Sequence, residues 1–167
     1  MSGGFEVKLH RAFGCYGILT WHDDLIVIRK HGGPYTHRFD LPGGSLDGPE
    51  DLAACVLREF HEETGVRATI ERQLGTVSFD YPWIYKHWDH NQHLAVFYQL
   101  QAPETALLQH PVQFIGQDSL GAQTMKLSEL SENNASPLVL WARDYLQTGL
   151  VNMTARHYPN WETYENR

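Results

Sequence analysis

Gly44-Ser-Leu-Asp-Gly-Pro-Glu50-Asp-Leu-Ala-Ala-Cys-Val-Leu-Arg58-Glu59-Phe-His-Glu62-Glu63-Thr-Gly65-Val66 is the stretch that decides the fold. It predicts a helix over Pro49 to Thr64. Asp47 stands three residues before Glu50, in the manner of a capping box. Pro49 suits a first turn, where backbone N–H groups lack intrahelical partners. Glu50 and Asp51 complement the positive helix start. Ala53, Val56, Leu57 and Phe60 follow helical spacing as one apolar stripe. Gly65 supplies the left-handed stop.

The end of that helix is electrostatically odd. Glu59, Glu62 and Glu63 stand at i, i+3 and i+4 and share one face. Like charges at these spacings cost about 0.2–0.5 kcal/mol per pair, at a terminus whose dipole is already negative. Arg58 reaches Glu62 at i+4, but one Arg does not neutralise three carboxylates. A solvated acidic face is the competing reading. Hard oxygen donors of this kind match Mg2+ or Mn2+ better than zinc, and such ions bridge protein carboxylates to substrate phosphates. Gly43-Gly44 lies just upstream, where a backbone carbonyl can approach a metal with no side chain in the way.

From Gly44 the pattern is Gly-x5-Glu50-x7-Arg58-Glu59-Phe60-x-Glu62-Glu63-x-Gly65-Val66. It resembles the Nudix box, G-x5-E-x7-R-E-U-x-E-E-x-G-U with U apolar, at every fixed position. The resemblance implies an α/β/α sandwich with a mixed central sheet, the box forming loop, helix and loop. It implies hydrolysis of a diphosphate linkage in a nucleoside diphosphate joined to another moiety, with divalent cations. Glu59, Glu62, Glu63 and the Gly44 carbonyl are the implied metal ligands, and Arg58 orients a catalytic Glu. Glu50 supports the loop–helix junction. Glu59 is favoured as general base. The resemblance also implies a further acidic ligand on a later loop, which counting back from Met125-Lys-Leu-Ser-Glu-Leu130 places at Asp118, against a solvated loop Asp beside Gly116. Arg29 matches a phosphate-contacting position, against an ordinary surface Arg.

Outward from the box, Phe5 to Thr20, Leu25 to Arg29, Ala68 to Tyr81, Leu94 to Gln101 and, more weakly, Val112 to Gly116 read as strands. Ser136-Pro137 opens a second helix, about 136–148, with Leu138, Trp141, Ala142 and Tyr145 as its stripe and Gly149 as its end. Two helices among several strands make a mixed α/β chain, read as one domain over 1–167. Pro82 to His93 reads as an aromatic, His-rich loop. Trp83, Tyr85 and Trp88 are candidate stacking partners for a base, worth about 1–3 kcal/mol each. Covering the core or a partner interface is the competing reading for these rings. His87, His90 and His93 recur at three-residue intervals without a Cys, so a zinc site is the disfavoured reading.

Bulk properties narrow the partners. Net charge is −7 over 167 residues, which argues against holding long nucleic acid. A small nucleotide-like diphosphate, held through cations, remains compatible. No stretch approaches the roughly 20 apolar residues of a membrane span. Only Cys15 and Cys55 are present, which suits reduced thiols and a cytoplasmic setting. A homodimer, frequent among proteins with this box, is the assembly open to the chain. The alternative function is a nucleotide-binding sensor that keeps the Nudix fold without turnover. Such sensors usually carry a damaged box, and this one is intact.

Overall fold

The computed structural model describes residues 6–105 and 119–164. In chain order the strands before the box are β1 (Leu9–Ile18), β2 (Thr20–Trp21), β3 (Asp24–Lys30), β4 (Phe39–Asp40) and β5 (Gly43–Gly44). The box helix α1 (Leu52–Thr64) is followed by β6 (Thr69–Tyr85), β7 (Trp88–Gln101) and β8 (Ser119–Met125). Helix α2 (Pro137–Thr148) and β9 (Arg156–His157) complete the order.

One sheet runs β5-β1-β7-β6-β9. Its centre is the parallel pair β1 and β7, in register from Leu9 opposite His90 to Ile18 opposite Gln99. The other pairs are antiparallel, except β9 beside β6. A second sheet is built on β3, which pairs antiparallel with β2, β4 and β8. The mixed sheet and two helices give the expected α/β class.

Strand alternation makes the layers. Successive side chains point to opposite faces. Tyr16, Ile18, Leu25, Val27, Ala95 and Phe97 therefore join α2 in one buried cluster. Cys15, Ile26, Val96, Tyr98 and Leu100 join α1 in the other. The ring of Trp141 on α2 stacks on Phe97 of β7 at 4.2 Å and 5°. Such a pair adds about 0.5–1.5 kcal/mol beyond area burial. Ser136 caps α2 by accepting from the Val139 N–H at 3.2 Å, and Gly149 ends it with φ 71°.

Three expectations need correction. Helix α1 starts at Leu52 rather than near Pro49, capped by Asp51, whose side chain accepts from the Ala54 N–H at 2.8 Å. The Glu50 carboxylate is held by Arg58 and the Asp47 N–H, which keeps the preceding residues out of the helix. On α1, Cys55 rather than Ala53 is buried beside Val56 and Phe60. The aromatic segment 82–93 is a hairpin, with Tyr85 opposite Trp88 across a tight turn at Lys86 and His87. Aromatic residues favour a pleated surface and pair across it. That preference carries β6 through Pro82, which stands opposite His90 of β7. The weak strand at Val112 to Gly116 lies outside the described residues.

Candidate active site

The acidic end of α1 lies against β5. The Gly43 N–H donates to Glu63 Oε2 at 2.9 Å. Glu63 is 8% exposed. Burial pushes its carboxyl up to about 8, reinforced by Glu59 and Asp40 and opposed by the Gly43 N–H and Lys30. A buried acid that holds a proton is one from which a cation can displace it.

Glu59 rests on Gly44. A Cβ at Gly44 would stand 2.8 Å from the Glu59 carboxyl carbon and 2.9 Å from Oε1. Ala at 44 should therefore push away the end of a flexible side chain, with a folding cost below about 1 kcal/mol. Turnover should fall much more than the melting temperature, which paired melts and assays would check. Ala at 43 should do the reverse. Its Cβ would meet the Cys15 carbonyl oxygen and, at 2.8 Å, the Tyr16 Cα. Backbone gives way less easily, so the cost is about 1–3 kcal/mol.

Arg58 is the hub of the cluster. Its Nε and Nη2 grip both Glu50 oxygens, the first at 2.9 Å. Nη1 donates to Glu59 Oε1 at 2.8 Å and to Glu62 Oε2 at 3.2 Å, and Nη2 also reaches the Ser45 carbonyl at 3.2 Å. The bidentate grip holds Glu50 down to about 2. Glu50 also accepts from the Asp47 N–H at 2.7 Å, tying the loop to the helix.

Among the described residues no three His, Cys, Asp or Glu side chains form a ready cage for a metal ion. Mg2+ is normally held by one or two carboxylates, several waters and substrate phosphates. The donor set suits that mode: carboxylates, one of them buried, beside a glycine backbone. The Gly44 carbonyl faces the Cys55 thiol at 3.5 Å. Both cysteines are buried, and burial pushes both thiols up, Cys55 to about 12. They are poor nucleophiles.

The remaining candidates separate. Asp118 lies outside the described residues. The Arg29 guanidinium sits over the Phe39 ring at 4.7 Å. Its neighbour Lys30 instead lines a cavity of about 130 Å3, with Tyr16, Tyr35, Asp40, Trp83 and His93. Trp83 is thus the one expected aromatic on that wall. Tyr85 stacks on Trp83 at 4.8 Å, and Trp88 meets His10 at 5.7 Å. The three histidines do not converge: His93 is buried between two tyrosines, His90 faces Asp80 and His87 lies on Trp88.

Sequence reasoning missed Tyr16, Lys30, Tyr35, Asp40 and Asn91. Asp40 carried a signal, as an acid between Phe39 and Leu41 immediately before the box. It is buried, accepts from Ser136 Oγ at 2.6 Å and from the Leu41 N–H at 3.0 Å, and so ties α2 to the loop that carries the site.

Comparisons with known proteins bear on the family and the fold. An ADP-ribose pyrophosphatase of Methanocaldococcus jannaschii is 31% identical over 74 residues, 44% of each chain. An 8-oxo-(d)GTP phosphatase of Mycolicibacterium smegmatis is 35% identical over 81 residues, 40% of this chain and 24% of that protein. The chain thus spans less than half the length of these curated relatives. The crystal structure of a NUDIX hydrolase from Nitrosomonas europaea superposes with a TM-score of 0.60 at 17% identity, over 93% of this chain and 81% of that one, and shares the fold. The NUDIX domain model matches residues 8–148, and the chain belongs to the NUDIX family.

Proposed function

We propose that the chain is a divalent-metal-dependent hydrolase, using Mg2+ or Mn2+. It cleaves the diphosphate linkage of a nucleoside diphosphate joined to another moiety, whether a nucleoside triphosphate, a nucleotide sugar or a dinucleotide. One observation carries this reading: a buried, proton-holding Glu63 and a Glu59 carboxylate are packed directly on the Gly43-Gly44 backbone. Folding alone gives no reason to gather these carboxylates at a helix C-terminus.

Glu59, Glu62, Glu63 and the Gly44 carbonyl would hold the ion, with Asp118 as a further candidate. A bound divalent cation neutralises phosphate oxygens and lowers the pKa of a bound water. The protein's own contributions are distinct. Glu59 is the proposed general base. Arg58 fixes the rotamers of Glu59 and Glu62 through its two hydrogen bonds. Trp83 and Lys30 offer a face and a charge to the group beyond the diphosphate. Arg29, Tyr85 and Trp88 remain proposed substrate contacts at the margin.

Activity on small nucleotide-like substrates is the proposal, without long nucleic acid or membrane. Among the described residues, no helix is long and apolar enough to cross a membrane. Monophosphate or phosphate release should be measured on nucleoside triphosphates, nucleotide sugars and dinucleotides in millimolar Mg2+ or Mn2+. Turnover of at least one class is expected, with its loss in EDTA and its return on adding metal. Mn2+ paramagnetic resonance with a nucleotide present should show ion uptake by the parent and much less by Glu62→Gln. Binding without any turnover would favour a sensor.

A further inference from the structure

A buried hydrogen-bonded chain runs beside the cavity, outside the carboxylate cluster. His93, 5% exposed, lies between Tyr16 Oη at Nε2 and Tyr35 Oη at Nδ1, both at 2.8 Å. Tyr81 Oη is 2.8 Å from Tyr35 Oη. Asn91 Nδ2 donates to Tyr81 Oη at 2.6 Å, and Asn91 Oδ1 lies 2.6 Å from His10 Nδ1.

The chemistry of these groups gives the chain a direction. Burial holds His93 down to about 3, with Lys30 and His10 acting the same way, so the ring is neutral and carries one N–H. An amide nitrogen only donates. With Asn91 donating to Tyr81, the Tyr81 hydroxyl proton goes to Tyr35, and the Tyr35 proton to His93 Nδ1. The His93 proton then sits on Nε2 and goes to Tyr16. The opposite order, with the same Asn91 amide, leaves the Tyr81 proton without an acceptor. Tyr81 is fully buried, and an unmade hydrogen bond there costs about 1–3 kcal/mol. The favoured order instead leaves over the proton of Tyr16, which lines the cavity.

Tyr16 is 7% exposed. Burial pushes its hydroxyl well above the usual phenol range, reinforced by Asp40 and Glu63, so it stays a donor. The cavity, about 130 Å3, is partly open to solvent, so a planar ring can enter part-way with Trp83 on one wall. Gly43, whose N–H binds Glu63, packs against Tyr16.

We propose that Tyr16 is a substrate-binding residue whose hydroxyl donates to an acceptor on a nucleobase seated in this cavity, and that His93 sets the direction of that donor. This rests on the reading of the carboxylate cluster as the diphosphate site. Tyr35, Asn91 and His93 line the same cavity and, with Tyr81, hold the Tyr16 hydroxyl in that direction. None of them need touch the phosphates.

The test begins with the parent protein labelled with 15N-histidine. Two-bond proton–nitrogen spectra report the tautomer directly. The expected result is His93 with its proton on Nε2. Titration with AMP, CMP, GMP and UMP should move that Nε2 signal saturably for at least one of them. A proton on Nδ1 overturns the proposal, since it turns the Asn91 amide over and makes Tyr16 donate to His93. So does a His93 signal that no nucleotide moves. In Tyr16→Phe the nucleotide-induced shift should vanish, and KM for the best substrate should rise about tenfold, with a smaller change in kcat. An unchanged KM also overturns the proposal. If no nucleotide is hydrolysed while the tautomer and titration hold, the hydrolase reading fails and the base site stands.

Discussion

Glu63→Gln should lower turnover on the best substrate by at least about 100-fold, the scale of losing one main electrostatic contact in a reacting site. The fold should survive, because a Gln oxygen can still accept from the Gly43 N–H. The variant's stability relative to the parent should even improve as pH rises. The Glu63 carboxyl is pushed up from an ordinary value of 4.5 to about 8, chiefly by burial. Between those values the folded chain keeps a proton that the unfolded chain has lost. Parent stability therefore falls as pH climbs through this window. Gln carries no such proton, so the variant's advantage in melting temperature should widen from pH 5 to pH 8 in metal-free buffer. Millimolar Mg2+ or Mn2+ should narrow it by binding the parent's carboxylate. Full activity in Glu63→Gln would remove the metal-site assignment. An advantage that stays the same from pH 5 to pH 8 would show that Glu63 does not hold the buried proton.

Arg58→Ala should be the second large effect, and of a different kind. Arg58 is the shared partner of Glu50, Glu59 and Glu62. Removing it frees three carboxylates to repel one another and leaves the loop from Ser45 to Glu50 without its clamp. Residues that orient metal ligands typically cost 10–100-fold in metal affinity or activity when lost. A fall of about that size is expected, together with a lower melting temperature. Lys restores the charge but not the forked grip on Glu50, so Arg58→Lys should recover stability more than turnover. Stability and turnover should therefore move together in Arg58→Ala and part in Glu63→Gln. If Arg58→Ala kept both, the hydrogen bonds from its guanidinium would have no functional weight.

The box was legible in the sequence because its chemistry is local. One helical turn fixes which carboxylates share a face, and a glycine pair upstream fixes where backbone is bare. The α/β class followed from runs of apolar residues at strand or helix period, and α2 was legible in its Ser136 cap and Gly149 stop. Local reasoning failed where two good signals competed. Asp47 reads as the cap and Asp51 as a first-turn acid, whereas Asp51 is the cap and Arg58 holds Glu50 from eight residues away. Pro82 and the histidines suggested a loop, whereas cross-strand pairing made the segment a hairpin.

The sequence by itself determined the carboxylate cluster, its arginine and the class of fold, since those depend on residues within a few turns of one another. Only the tertiary structure decided that Lys30 rather than Arg29 lines the cavity. It alone brought Tyr16, Tyr35, Tyr81, Asn91 and His93 into one chain from separate strands and a loop. Strand register sets such contacts, and a one-residue slip sends every side chain to the other face. That register comes from the whole buried sheet, which no short stretch of the chain contains.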